Sequence, residues 1–207
     1  MKKIMFDDRF GLTNAVLSGS KTMTRRIAGE LNQPQVACVS EAQIDTECKS
    51  FVRLRDSAGA TKNVYSKFHL GEVVAVAQPY KSLPWKCIPV EWFGKVEKMS
   101  GYTNKMFVKA EYMPEQIRIM SVNVQRIQDI CDEDCIKEGV YHDFTAPKCY
   151  QPYYTYFGSA EKNCPVGWDN PKRAFADLFD KICECKYWRE NPWVWVYEFE
   201  LVKEKEK

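Results

Sequence analysis

Gln116-Ile117-Arg118-Ile119-Met120-Ser121-Val122-Asn123-Val124-Gln125-Arg126-Ile127-Gln128-Asp129-Ile130 is the stretch on which the architecture turns. Alternation of apolar and polar residues marks a strand with one buried face. Here the apolar residues hold odd positions at Ile117 and Ile119, then even positions at Met120, Val122 and Val124. One extra residue in the ladder, a β-bulge, puts both halves back on a single face. The segment is read as one long, bent strand from Gln116 to Ile130. A second alternating run, Trp193 to Leu201, places Trp193, Trp195, Tyr197, Phe199 and Leu201 on one face.

Working outward, Val73 to Ala77 is apolar on both faces, the mark of a buried strand. Shorter strand candidates are Val36 to Val39, Phe51 to Arg55, and Met106 to Ala110, the last closing an irregular, aromatic-rich excursion from Tyr80 to Met113. Three helices carry start and stop signals. The first is expected to be capped by Asp7 or Asp8, to bury Phe10, Leu12, Val16 and Leu17, and to stop at Gly19. The second begins with Asp132-Glu133-Asp134, whose charges suit a helix N-terminus, and stops at Gly139. The third opens on Pro171 and spaces Phe175, Leu178, Phe179 and Ile182 helically. Val140 to Asn170 has little periodicity and is read as an inserted loop.

Composition excludes several classes of function. The chain has 207 residues, 45% hydrophobic and 28% charged, which fits one globular domain rather than two cores. A net charge of +2 makes no global demand for a polyanion, so any basic site is local. The longest apolar runs, Val73 to Ala77 and Trp193 to Tyr197, are far short of the roughly 20 residues that span a bilayer. The opening residues Lys2, Lys3, Asp7 and Asp8 break any signal-peptide core, so a cytoplasmic protein is expected. With two histidines, no CxxC, no GxGxxG and no GxSxG, no cofactor or metal motif is present. Gly19-Ser20-Lys21-Thr22 imitates the end of a P-loop but lacks its first glycine and preceding strand. The nine cysteines are read as reduced thiols; Cys149, Cys164, Cys183 and Cys185 lack the tight knuckle of a zinc site.

Three separated segments share a pattern: Gly19-Ser20-Lys21-Thr22-Met23-Thr24-Arg25-Arg26, then Gln125-Arg126-Ile127-Gln128-Asp129-Ile130 through Glu138-Gly139-Val140, then Asn191-Pro192-Trp193-Val194-Trp195-Val196. In that order they resemble the ASCH domain, in the form common in phages and prophages. The resemblance implies an α+β, PUA-like fold, a small mixed β-barrel flanked by helices. It implies a single domain over 1–207 with loop insertions near 30–67, 81–113 and 141–170. It implies a partner as well: RNA or a nucleoside-like small molecule, held in a basic cleft by Lys21, Thr22, Thr24, Arg25 and Arg26. Some compact ASCH proteins remove an acyl group from an N-acetylated cytidine with a Lys, a Thr and a Glu, which by motif position are Lys21, Thr24 and Glu138. A third reading is a phage or prophage accessory protein acting through protein contacts.

The chemistry is sound on its own terms. A Thr hydroxyl is a weak nucleophile that a desolvated, neutral Lys can activate. On one extended strand Lys21 and Thr24 point to opposite faces, so they converge only if the chain turns between the helix and the strand. Glu138, in the last turn of its helix, is placed to give a proton. Without the resemblance it reads as an ordinary exposed helix end. Simple binding leaves affinity intact in Glu138→Gln, whereas hydrolysis loses turnover in both Glu138→Gln and Lys21→Ala. Trp85, Trp92, Tyr150, Tyr153 and Tyr154, in irregular segments, are the candidates for stacking on a base.

Overall fold

A computed structural model describes residues 1–144, 153–157, 167–184 and 187–202. In chain order the elements are β1 (Lys3–Ile4), α1 (Leu12–Leu17), β2 (Met23–Ile27), β3 (Val36–Val39), β4 (Gln43–Ile44), β5 (Ser50–Asp56), β6 (Thr61–Tyr65), β7 (Val73–Val76) and β8 (Gln116–Arg126). There follow α2 (Asp132–Lys137), β9 (Val140–His142), β10 (Tyr154–Tyr156), α3 (Pro171–Cys183), α4 (Tyr187–Glu190) and β11 (Trp193–Val202). The class is α+β. The main sheet has the order β1-β7-β8-β11-β2, with β1 parallel to β7 and the other pairs antiparallel.

The β8–β11 ladder is its spine. Trp193 pairs with Arg126 and the register runs to Glu198 opposite Ser121; it then resumes with Phe199 opposite Ile119, leaving Met120 as the extra residue. That bulge is where the apolar phase changes in the sequence, and it lets Ile117, Ile119, Val122 and Val124 face one core with Trp195, Tyr197 and Phe199. The opposite face of β11 is covered as well: Val194 and Val196 pack against Ile127, Cys135, Phe175 and Phe179 beneath α2 and α3. Burial pushes the Cys135 thiol up to about 12, so it behaves as a small apolar side chain.

The segment 30–67 is not a loop. It forms a second antiparallel sheet in which β5 pairs with β3, β4 and β6, and it sends Val52, Leu54 and Val64 into the main core. The aromatic excursion builds a small core of its own, with Tyr80, Leu83, Ile88, Val96, Val108 and Met113 around Ala75 and Ala77.

Four expectations are corrected. The first helix takes no cap from Asp7 or Asp8: Gly11, at φ +59°, occupies the cap position, while Asp7 binds Arg9 and Asp8 binds Thr13 and Lys105. Met106 to Ala110 is not a strand. The carbonyls of Met106 and Val108, which a ladder would use, accept instead from Lys3 Nζ at 2.7 and 2.6 Å, and 3₁₀ turns flank them. The long strand ends at Arg126, because Ile127–Asp129 tightens into a 3₁₀ turn held by Asn191. Finally, the sheet does not close into a barrel among the described residues.

The reason for the open sheet is local. β1 is two residues long and offers no ladder to β2. Where the two edges approach, a side chain spans them: Arg26 Nη2 donates to the Met5 carbonyl at 2.6 Å, with its guanidinium 5.5 Å from the Phe6 ring. A seam held by one arginine separates the edges, and a cavity lies on each side of it.

Candidate functional site

The site residues arrive from two turns. After α1, Gly19 adopts φ +76°, and the Lys21 amide bonds back to the Ala15 carbonyl at 2.9 Å, so Lys21 lies outside the strand that starts at Met23. This turn removes the alternation that would oppose Lys21 to Thr24, and both line one cavity of about 220 Å³. Glu138 follows α2, and Gly139 at φ +104° turns the chain away behind it. A methyl group on Gly139 would sit 3.5 Å from Leu12 and 3.8 Å from the Lys21 stem, in a conformation that side chains rarely adopt.

Glu138 is not an exposed helix end. It is 4% exposed, and both of its carboxylate oxygens accept from cations. Lys21 Nζ donates to Oε2 and to the Glu138 carbonyl, each at 2.6 Å, and Arg25 Nη1 donates to Oε1 at 3.1 Å. Arg25 Nη2 binds Asp134 Oδ2 at 2.6 Å, and with the Gln125 amide turned to satisfy both of its atoms, its oxygen accepts from Arg25 Nε at 3.2 Å. Two buried cations thus meet two carboxylates, and the charge of Lys21 and Arg25 is spent inside the protein. A carboxylate accepting from two cations offers no proton, so the expected proton-giving role of Glu138 is not drawn in this geometry.

Arg26 is different. Among the described residues no carboxylate lies within 4.0 Å of it, and its buried Nε has no hydrogen-bond partner. Of the three cations in the motif, it alone keeps unspent charge. Thr24 is 4% exposed, and its hydroxyl makes no hydrogen bond within the protein among the described residues. Thr22 is not drawn in: its amide binds the Lys137 carbonyl and its carbonyl accepts from Phe199, which fixes the strand entry. The far wall of the cavity is apolar, from Phe6, Leu12, Phe175, Leu178 and Phe179. Helical spacing on α3 flagged the last three as core; nothing local marked them as cavity wall. Asp134 likewise read only as a helix-start charge.

Burial pushes the Lys21 ammonium below the ordinary 10.5 of a lysine, against the pull of Glu138 in the other direction. Between its folded value and 10.5 the folded chain therefore holds fewer protons at Lys21 than the unfolded chain, so its contribution to stability rises as pH climbs through that window. Lys21→Met is expected to remove the rise. In urea unfolding as the pH is raised toward 10.5, the stability gap between wild type and variant should move in favour of wild type. A gap that is flat or moves the other way contradicts the assignment.

The stacking candidates divide. Trp92 is packed between Tyr80 and Tyr112 with ring centroids 5.2 and 4.6 Å away, and Tyr153 is buried. Tyr154 packs edge-on against His142, while Trp85 is 66% exposed with the Phe93 ring 5.6 Å away. Tyr150 and three of the four cysteines weighed for zinc, Cys149, Cys164 and Cys185, lie outside the described residues. No helix among the described residues is long and apolar enough to cross a membrane. Compared with known proteins, the chain matches no family model, no curated protein and no solved structure.

Proposed function

We propose that this chain binds a nucleoside-sized small molecule in the cavity walled by Lys21, Thr24, Arg25, Arg26 and Glu138, and that the open, bent sheet with its flanking helices is PUA-like. One observation carries the choice of a small ligand over a long RNA strand. Lys21 and Arg25 are neutralised internally by Glu138 and Asp134, so the motif presents one unspent cation and not a basic track. One apolar wall facing the Thr24 hydroxyl suits a compact ring bearing polar groups.

A second reading, hydrolysis of an acylated nucleoside base, is favoured by the unpartnered Thr24 hydroxyl beside a lysine whose charged form burial disfavours. In that chemistry neutral Lys21 accepts the hydroxyl proton as Thr24 Oγ1 bonds to the acyl carbon. The proton then goes to the departing amine, and water releases the acid from Thr24. Glu138→Gln no longer separates the readings, because it disrupts a buried network. Thr24→Ala does, since it breaks no side-chain hydrogen bond among the described residues.

The experiment is incubation of N-acetylated cytidine with wild type, Thr24→Ala and Lys21→Ala, with chromatography for cytidine and calorimetry for binding. Cytidine released by wild type and by neither variant supports hydrolysis. Binding without release supports a ligand-binding protein. Neither binding nor release, from folded protein, overturns both.

A further inference from the structure

We propose that the cavity on the other side of Arg26 is a second ligand site, and that it takes a phosphate monoester carried on a flat ring, the chemistry of a nucleoside monophosphate. The cavity measures about 360 Å³, within the size range of small-molecule sites. Its walls are β1, the end of β2, the inner face of β11 and residues 64–68, which the sheet of 30–67 brings over the seam. Residues 64–68 belong to none of the motif segments, and the two cavities share Arg26 in their walls while the second takes its other cations, Lys3 and Lys67, from elsewhere.

Charge selects the ligand. Lys3, Arg26 and Lys67 all line this cavity, and among the described residues none has a carboxylate within 4.0 Å. Lys3 Nζ spends two of its three donors on the Met106 and Val108 carbonyls, so its main contribution to the cavity is field. Among the described residues, Lys67 Nζ lies 5.4 Å from the Phe68 ring and donates to no acceptor, and Arg26 Nε is buried without a partner. Glu30, the acidic residue at the rim, is held by Lys62 at 2.9 Å. Two cations with donors to spare match a dianion better than a carboxylate, and an arginine suits phosphate in particular.

The flat partner is also present. Tyr65 is 47% exposed, with its ring steadied by Phe51 at 5.6 Å, and Phe68 and Trp195 line the same cavity. Aromatic side chains at a cavity rim hold planar rings with little side-chain entropy to lose. An anion alone would leave this wall unused, and a neutral ring would leave Arg26 and Lys67 unanswered.

The test is calorimetric titration of the whole chain with cytidine 5′-monophosphate, with cytidine and inorganic phosphate as separate arms, on wild type, Lys67→Ala and Tyr65→Ala, with Thr24→Ala as the first-cavity control. Both substituted side chains are exposed, and thermal unfolding confirms that the variants fold. Wild type should bind the nucleotide at least tenfold tighter than either fragment. Lys67→Ala should weaken it about tenfold and flatten its salt dependence, and Tyr65→Ala should weaken it several-fold. Equal binding of phosphate means an adventitious ion only and overturns the proposal. So does affinity that survives both variants, or that is lost in Thr24→Ala but kept in Lys67→Ala, which would put the ligand in the first cavity. Absence of binding overturns it outright.

Discussion

Glu138→Gln is expected to destabilise the protein by about 3–5 kcal/mol, measured by urea unfolding at neutral pH. Glu138 answers two cations at once, Lys21 at 2.6 Å and Arg25 at 3.1 Å, with side chains 2% and 0% exposed. An amide keeps the shape but leaves two buried positive charges facing each other across a neutral group. Lys21 can escape by giving up its proton, toward which burial already biases it; Arg25 cannot, and retains only Asp134. Lys21→Met is the informative control. It leaves Glu138 paired with Arg25 and replaces an ammonium by a side chain of similar length, so its cost should be well below that of Glu138→Gln. If the two variants cost the same, or if Glu138→Gln costs less than about 1 kcal/mol, the three groups do not act as a buried unit.

Leu178→Ala should cost about 2–5 kcal/mol and lower the melting temperature by on the order of 10 °C. Leu178 is 1% exposed, sits mid-way along α3, belongs to the main core and lines the first cavity. Truncation therefore removes core contacts and enlarges an existing void in one step, at a site where the helix is held by neighbours on both faces and cannot settle inward. Ile182, one turn further on and half-buried, lines the same cavity; Ile182→Ala should cost much less. Equal costs for the two alanines would mean that α3 is not anchored through Leu178.

Some of this molecule is written locally and some is not. The bulge at Met120 is legible because a change of apolar phase leaves a trace in neighbouring residues, and the strand from Trp193 and the helix from Pro171 are legible for the same reason. Met106 to Ala110 misleads: its apolar residues suit a strand, but its carbonyls are taken by Lys3, over 100 positions away. Glu138 misleads more seriously. Most of its neighbours on α2 are charged, and nothing within a helical turn announces that Lys21 and Arg25 will enclose it from 117 and 113 positions upstream. Arg25 and Arg26, adjacent and identical, are told apart only by where their carboxylates are. The sequence lets Lys21 and Thr24 line one cavity only if the chain turns between the helix and the strand, and Gly19 and the Lys21 amide supply that turn.

The seam between β1 and β2 has a consequence for how the molecule moves. A strand in that place would hold the edges with a ladder of backbone bonds, and parting them would be a local unfolding event. Here one hydrogen bond to Met5 and one cation–ring contact to Phe6 hold them. Parting them there breaks no backbone ladder, and the wall that the two chambers share, Arg26 with Ile27, lies at that place.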